Sequence, residues 1–108
     1  MPVYNPPLRD MQFVMHEVLN VSADLQTMPQ HADMDADTIN AVLEEAGKFA
    51  SQVIFPLNIS GDTEGCKLDQ KTHEVTTPAG FKEAYKTYVD GGWAALSCDP
   101  EFGGQGLP

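Results

Sequence analysis

Residues 37–56 read DTINAVLEEAGKFASQVIFP, and this stretch carries the strongest structural signal in the chain. Its apolar residues recur at spacings of three and four, which places them on one face of an α-helix. They are Ile39, Val42, Leu43, Ala46, Phe49, Ala50 and Val53. Asp35 or Asp37 can cap the start of this helix, because a carboxylate accepts hydrogen bonds from the free amides of the first turn. Pro56 predicts that the helix ends near Phe55.

One further helix is predicted on each side of this central one. Pro6 and Pro7 precede the first, whose apolar residues fall on a single arc. They are Leu8, Met11, Val14, Met15, Val18 and Leu19. Thr77 and Pro78 predict the N-cap and the first residue of the third helix, and Gly91-Gly92 predicts its end. The apolar face of that helix comprises Phe81, Ala84, Tyr85, Tyr88 and Val89.

The connections between the helices are predicted to be irregular. Residues 20–37 are polar and interrupted at Pro29, and residues 57–76 are typical of a long loop. Within that loop, Leu68 and Val75 can pair as a small hairpin. The sequence therefore predicts an all-α fold, a partial helical bundle of about three main helices with one long loop.

Composition restricts the class of protein. The chain has 108 residues, enough for one small domain, and its 42% apolar and 20% charged content is typical of globular proteins. A formal net charge of -10 argues against binding to nucleic acid or an anionic membrane. The start of the chain lacks the features of a signal peptide, and the two cysteines are isolated, so a reducing cytoplasm is predicted.

Several acidic residues near the central helix have a spacing that could indicate a metal site. Asp33, Asp35, Asp37 and Glu44 echo a calcium-binding loop in their spacing. The sixth position of such a loop needs glycine, and Thr38 occupies it here. The predicted helix also carries Glu44 away from the other acids. We therefore interpret them as residues that cap a helix.

The histidines and cysteines give no better candidate. His16, His31 and His73 lie far apart, and no pair has the spacing that binds zinc on a helix. We expect all three to be solvated. Cys66 and Cys98 lack the basic surroundings of a reactive thiolate, except for a lysine next to Cys66, so we interpret both as structural.

A glycine-rich stretch, Gly103-Gly104-Gln105-Gly106, resembles a phosphate-binding loop only weakly. A dinucleotide fingerprint needs a strand before it, a helix after it and a third glycine at the correct spacing. A chain reversal that requires positive φ is the better interpretation. No arrangement of serine, histidine and acid indicates a nucleophile. The sequence thus predicts no catalytic, cofactor-binding or metal-binding residue in this chain.

Longer strings of sequence resemble the long-form acyl-CoA dehydrogenases. These strings are residues 6–14 (PPLRDMQFV), 43–50 (LEEAGKFA), 56–58 (PLN), 61–62 (GD), 64–66 (EGC), 77–78 (TP), 80–85 (GFKEAY), 91–93 (GGW) and 100–108 (PEFGGQGLP). The last is similar to the Gly-Gly-x-Gly turn in the amino-terminal domain of that family. The opening string is similar to the extension of a bacterial subgroup, the 3-methylmercaptopropionyl-CoA dehydrogenase-like enzymes.

This resemblance implies a fold and a function for a longer protein. It implies an amino-terminal helical domain, then a β-domain and a carboxy-terminal helical bundle. It also implies FAD, an acyl-CoA thioester and removal of two hydrogens across Cα–Cβ, with a glutamate as base and the flavin as hydride acceptor. The family motifs for flavin and base have no counterpart here, so FAD is expected in the parent enzyme and not in this chain. An electron-transferring flavoprotein and further copies of the enzyme are the implied partners.

Two hypotheses stay open at this point. In the first, residues 1–36 form an amino-terminal extension and residues 37–108 begin a truncated helical domain, which is inactive alone. The apolar, glycine-rich stretch 93–108 favours this, because free termini are usually polar. In the second, the chain is a free-standing acidic helical module that binds other proteins through its apolar faces. Phe13, on the polar side of the first helix, is either a scattered surface residue or a contact with parts of a larger protein.

Overall fold

The central helix, α3, is the longest in the chain. A computed structural model describes residues 2–108, and in it α3 spans Ala36–Phe49 and continues as a π-helix over Ala50–Ile54. Asp35 caps its start, because the carboxylate accepts a hydrogen bond from the Thr38 amide at 2.8 Å. A short 3-10 turn, Phe55–Leu57, follows. The predicted helix, its cap and its end are confirmed; Met1, in the predicted extension, lies outside the described residues.

The first helix, α1, packs antiparallel against α3. It spans Leu8–Gln12 and continues as a π-helix over Phe13–Val18. A β-carbon added to the buried Gly47 of α3 would lie 3.3 Å from the Leu8 side chain, so the two helices approach closely at that glycine. At the other end of the pair, the Nε2 atom of His16 lies 2.7 Å from Oδ1 of Asn40. The predicted first helix is confirmed.

The segment between α1 and α3 was predicted to be irregular, and this prediction is wrong in part. Helix α2 spans Val21–Gln26, and a 3-10 turn follows at Pro29–His31. Leu25 of α2 is buried and shares an apolar hollow with Ile39 of α3. With so few apolar residues, α2 is stabilised by this tertiary contact and not by a periodic pattern of its own.

The predicted loop over residues 57–76 also contains a helix, so that prediction is wrong in its first half. Helix α4 spans Asn58–Glu64, and Gly65 ends it at a φ of 64°. The small hairpin is confirmed: β1, Lys67–Leu68, pairs antiparallel with β2, Val75–Thr76, and Leu68 lies opposite Val75. A helix containing glycine is weak by propensity, which explains why the sequence pattern missed α4.

The last helix, α5, begins later than predicted. It spans Phe81–Asp90, with Gly80 as its N-cap at a φ of 84°, so the prediction of Thr77 as the cap is wrong. The Ala79 amide donates to the Glu64 carboxylate at 3.2 Å, a contact between α4 and the lead-in to α5. The helix ends at Gly91, as predicted. Its partner across the fold is Phe49, whose ring centroid lies 6.0 Å from that of Tyr88.

These elements form a flat and open assembly. The chain is 61% helical, which confirms the all-α class. Residues 2–108 contain five α-helices, the three predicted ones together with α2 and α4. Leu25, Ile39 and Ala84 are the only buried hydrophobic side chains among residues 2–108. The radius of gyration is 18.0 Å, whereas a compact chain of this length has about 13 Å. The accessible surface is 7940 Å², against roughly 5,900 Å² for a compact protein of this mass. Much apolar surface is therefore left uncovered.

Candidate functional site

Asp35, one of the acids at the start of α3, acts as its helix cap. Oδ1 of Asp35 accepts hydrogen bonds from the Thr38 hydroxyl at 2.7 Å and from the Thr38 amide at 2.8 Å. These two bonds, the hydroxyl first, lower the pKa of Asp35 below its usual value. Across residues 2–108, no three His, Cys, Asp or Glu side chains come together in a group that could hold a metal ion.

The prediction that all histidines are solvated is wrong for two of them. Nδ1 of His16 and Nδ1 of His31 are both buried and without a hydrogen-bond partner. His16 faces α3, where Asn40 meets its other ring nitrogen. Only His73 is exposed, in the turn of the hairpin, with a φ of 60°. The sequence pattern placed His16 on the polar side of α1, but the π-helical turn around it changes the angle at which side chains leave the helix.

The cysteines lie in separate parts of the structure. Both Cys66 and Cys98 are free thiols, and both are exposed. Cys66 directly precedes β1, whereas Cys98 lies in the carboxy-terminal loop. Neither therefore contributes to a buried core, and the two are not joined to each other.

The carboxy-terminal glycine loop folds back on itself. The four amides of Gly103, Gly104, Gln105 and Gly106 all donate to backbone carbonyls nearby, at distances of 3.0–3.1 Å. A phosphate-binding loop needs such amides free and aimed at the ligand. Gly103 and Gly106 have φ values of 85° and 65°. The interpretation as a chain reversal is confirmed, because these amides are bonded to carbonyls of the same loop.

An open groove of about 560 Å³ lies between α4 and α5. Phe81, Ala84, Tyr85 and Tyr88 line one side, and α4 lines the other. Asp62 is the only charged residue in the lining. None of these lining residues forms a nucleophile with an adjacent base. The sequence did not reveal the groove, because α4 was predicted to be loop.

Comparison with curated proteins finds enzymes that are similar in sequence to this chain. Over 105 residues, or 97% of the chain, it is 39% identical to the 3-methylmercaptopropionyl-CoA dehydrogenase of Ruegeria pomeroyi. Over the same share of the chain it is 31% identical to the broad-specificity linear acyl-CoA dehydrogenase FadE5 of Mycobacterium tuberculosis. The chain is homologous to the acyl-CoA dehydrogenases.

A third acyl-CoA dehydrogenase, the butyryl-CoA dehydrogenase of Syntrophomonas wolfei, is 33% identical over 86 residues. The chain spans 17% of the length of the first two relatives and 14% of the third. No family model matches the chain. The described residues contain no helix that is long and apolar enough to cross a membrane. The predicted resemblance to acyl-CoA dehydrogenases is confirmed, and it extends over nearly all of the chain.

Proposed function

We propose that this chain is the amino-terminal helical part of an FAD-dependent acyl-CoA dehydrogenase and serves that enzyme as a structural element. One observation carries the proposal: 97% of the chain aligns with enzymes of which it spans only 17%. Helices of one domain usually cover one another's apolar faces, and here they do not. In the parent enzyme, other parts of the polypeptide would cover them.

The area and the location of the uncovered surface both support this proposal. The accessible area of 7940 Å² exceeds that of a compact protein by roughly 2,000 Å², which is more than the roughly 800 Å² that one partner buries in a stable protein interface. Helix α1 shows where part of it lies, since Met11, Val14 and Val18 are 40%, 46% and 59% exposed on one row. Phe13, on the same helix, is 45% exposed. We propose that the Phe13 ring is covered in the parent enzyme; a full-length structure with that ring in solvent would overturn this.

The parent enzyme would dehydrogenate an acyl-CoA thioester across Cα–Cβ. FAD supplies the hydride-accepting chemistry in such enzymes. The glycine loop of this chain does not fit the cofactor, because its amides are already bonded within the loop. We therefore assign no catalytic or cofactor-binding residue to these 108 residues. The acyl-CoA, an electron-transferring flavoprotein and further enzyme copies are proposed partners of the parent, and the cytoplasm its proposed location.

The division of the chain into two parts is also a proposal. Residues 1–36 would form an extension and residues 37–108 the start of the helical domain. The close approach of α1 to Gly47 supports an extension that packs firmly on the domain. Such packing means that removing residues 1–36 would expose the α3 surface around Gly47.

A titration tests the proposed function directly. The purified chain is mixed with FAD and then with butyryl-CoA, while flavin fluorescence and absorbance are recorded and circular dichroism confirms that the helices are formed. We expect no stoichiometric flavin binding and no flavin reduction. Stoichiometric flavin binding, or reduction of the flavin by butyryl-CoA, would show that these residues contain a flavin site. The assignment as a structural part would then be wrong.

The exposed apolar faces also favour a second candidate, a free-standing acidic module that binds other proteins. The natural reading frame distinguishes the two. A continuation of several hundred codons after Pro108 supports the enzyme, and a stop codon there supports the module.

A further inference from the structure

We draw no further inference here: the strongest candidate, the apolar groove between α4 and α5 that Phe81, Tyr85 and Tyr88 line, is open in a chain that spans 17% of the length of its relatives, and nothing in the structure shows what covers it.

Discussion

Gly104 lies where the carboxy-terminal loop folds back, and replacing it by alanine tests whether this loop is a rigid part of the structure. A β-carbon at Gly104 would lie 2.0 Å from the carbonyl oxygen of Cys98. Real β-carbons do not approach backbone atoms so closely, and no side-chain rotation relieves the overlap. The two segments of the loop must therefore separate by well over an ångström.

The expected cost follows from the bonds that hold these segments together. The Gly104 amide donates to Asp99, the Gln105 amide to Ala95 and the Gly106 amide to Cys98, at 3.1, 3.0 and 3.0 Å. Each such bond contributes about 1 kcal/mol net. Losing two or three of them predicts a destabilisation of about 2–3 kcal/mol for Gly104→Ala. This is a large fraction of the stability of a small domain.

Gly103→Ala provides the control within the same loop. Gly103 has a φ of 85°, but nothing lies within 4 Å of the β-carbon it would gain. Gly103→Ala should therefore lower the free energy of unfolding through backbone strain alone, by about 1–2 kcal/mol. Gly103→Asn should cost less, because asparagine tolerates the left-handed region.

Two measurements separate a local effect from a global one. Urea unfolding followed by Trp93, the single tryptophan, reports the free energy of unfolding. Amide hydrogen exchange at residues 104–107 reports opening of the loop alone. We expect Gly104→Ala to accelerate exchange there far more than Gly103→Ala does. Equal exchange rates and equal unfolding midpoints in the two variants would refute the packing of the loop against Cys98.

Other predictions concern the cap, the aromatic cluster and association. Because the pKa of Asp35 is lowered in the folded protein, the contribution of its carboxylate to folding stability is complete above the unfolded pKa and is lost as the pH falls through the folded pKa. The loss of stability between pH 6 and pH 3, measured by urea unfolding, should therefore be smaller in Asp35→Asn than in the unchanged protein. Phe49→Ala removes ring contacts with Tyr88 and Trp93. Because Phe49 is only half-buried, it should cost about 2 kcal/mol of stability, less than the roughly 3–5 kcal/mol of a fully buried ring. Phe102→Ala, at an 82% exposed position, should change stability by less than about 0.5 kcal/mol; thermal unfolding of both variants checks this. The uncovered apolar surface predicts that the isolated chain self-associates or packs loosely, and a compact monomer with a sharp thermal transition would contradict that.

The features that the sequence predicted correctly depend on neighbours along the chain. The stripe from Ile39 to Val53, the cap at Asp35 and the break at Pro56 act within one or two helical turns. The pairing of Leu68 with Val75 needs only a short turn between them. Local patterns of this kind appear directly in the order of residues.

The features that the sequence predicted wrongly depend on distant contacts. Helix α4 contains Gly61 and few apolar residues, yet it forms where the Phe81 ring packs on that glycine. Helix α5 begins at Phe81 and not at Thr77 because Gly80 adopts a positive φ beside Leu57. The α4–α5 groove could not be predicted for the same reason.

By itself, then, the sequence determined the all-α class, the central helix with both its ends, and the homology to acyl-CoA dehydrogenases. Tertiary structure alone decided that α1 runs antiparallel to α3 across Gly47, that His16 turns inward to Asn40, and that a groove opens between α4 and α5. Helical periodicity and capping act over a few residues, so they are visible in one stretch of chain. Close approach of helices depends on which small residues meet in space, and those residues lie 20 to 40 positions apart.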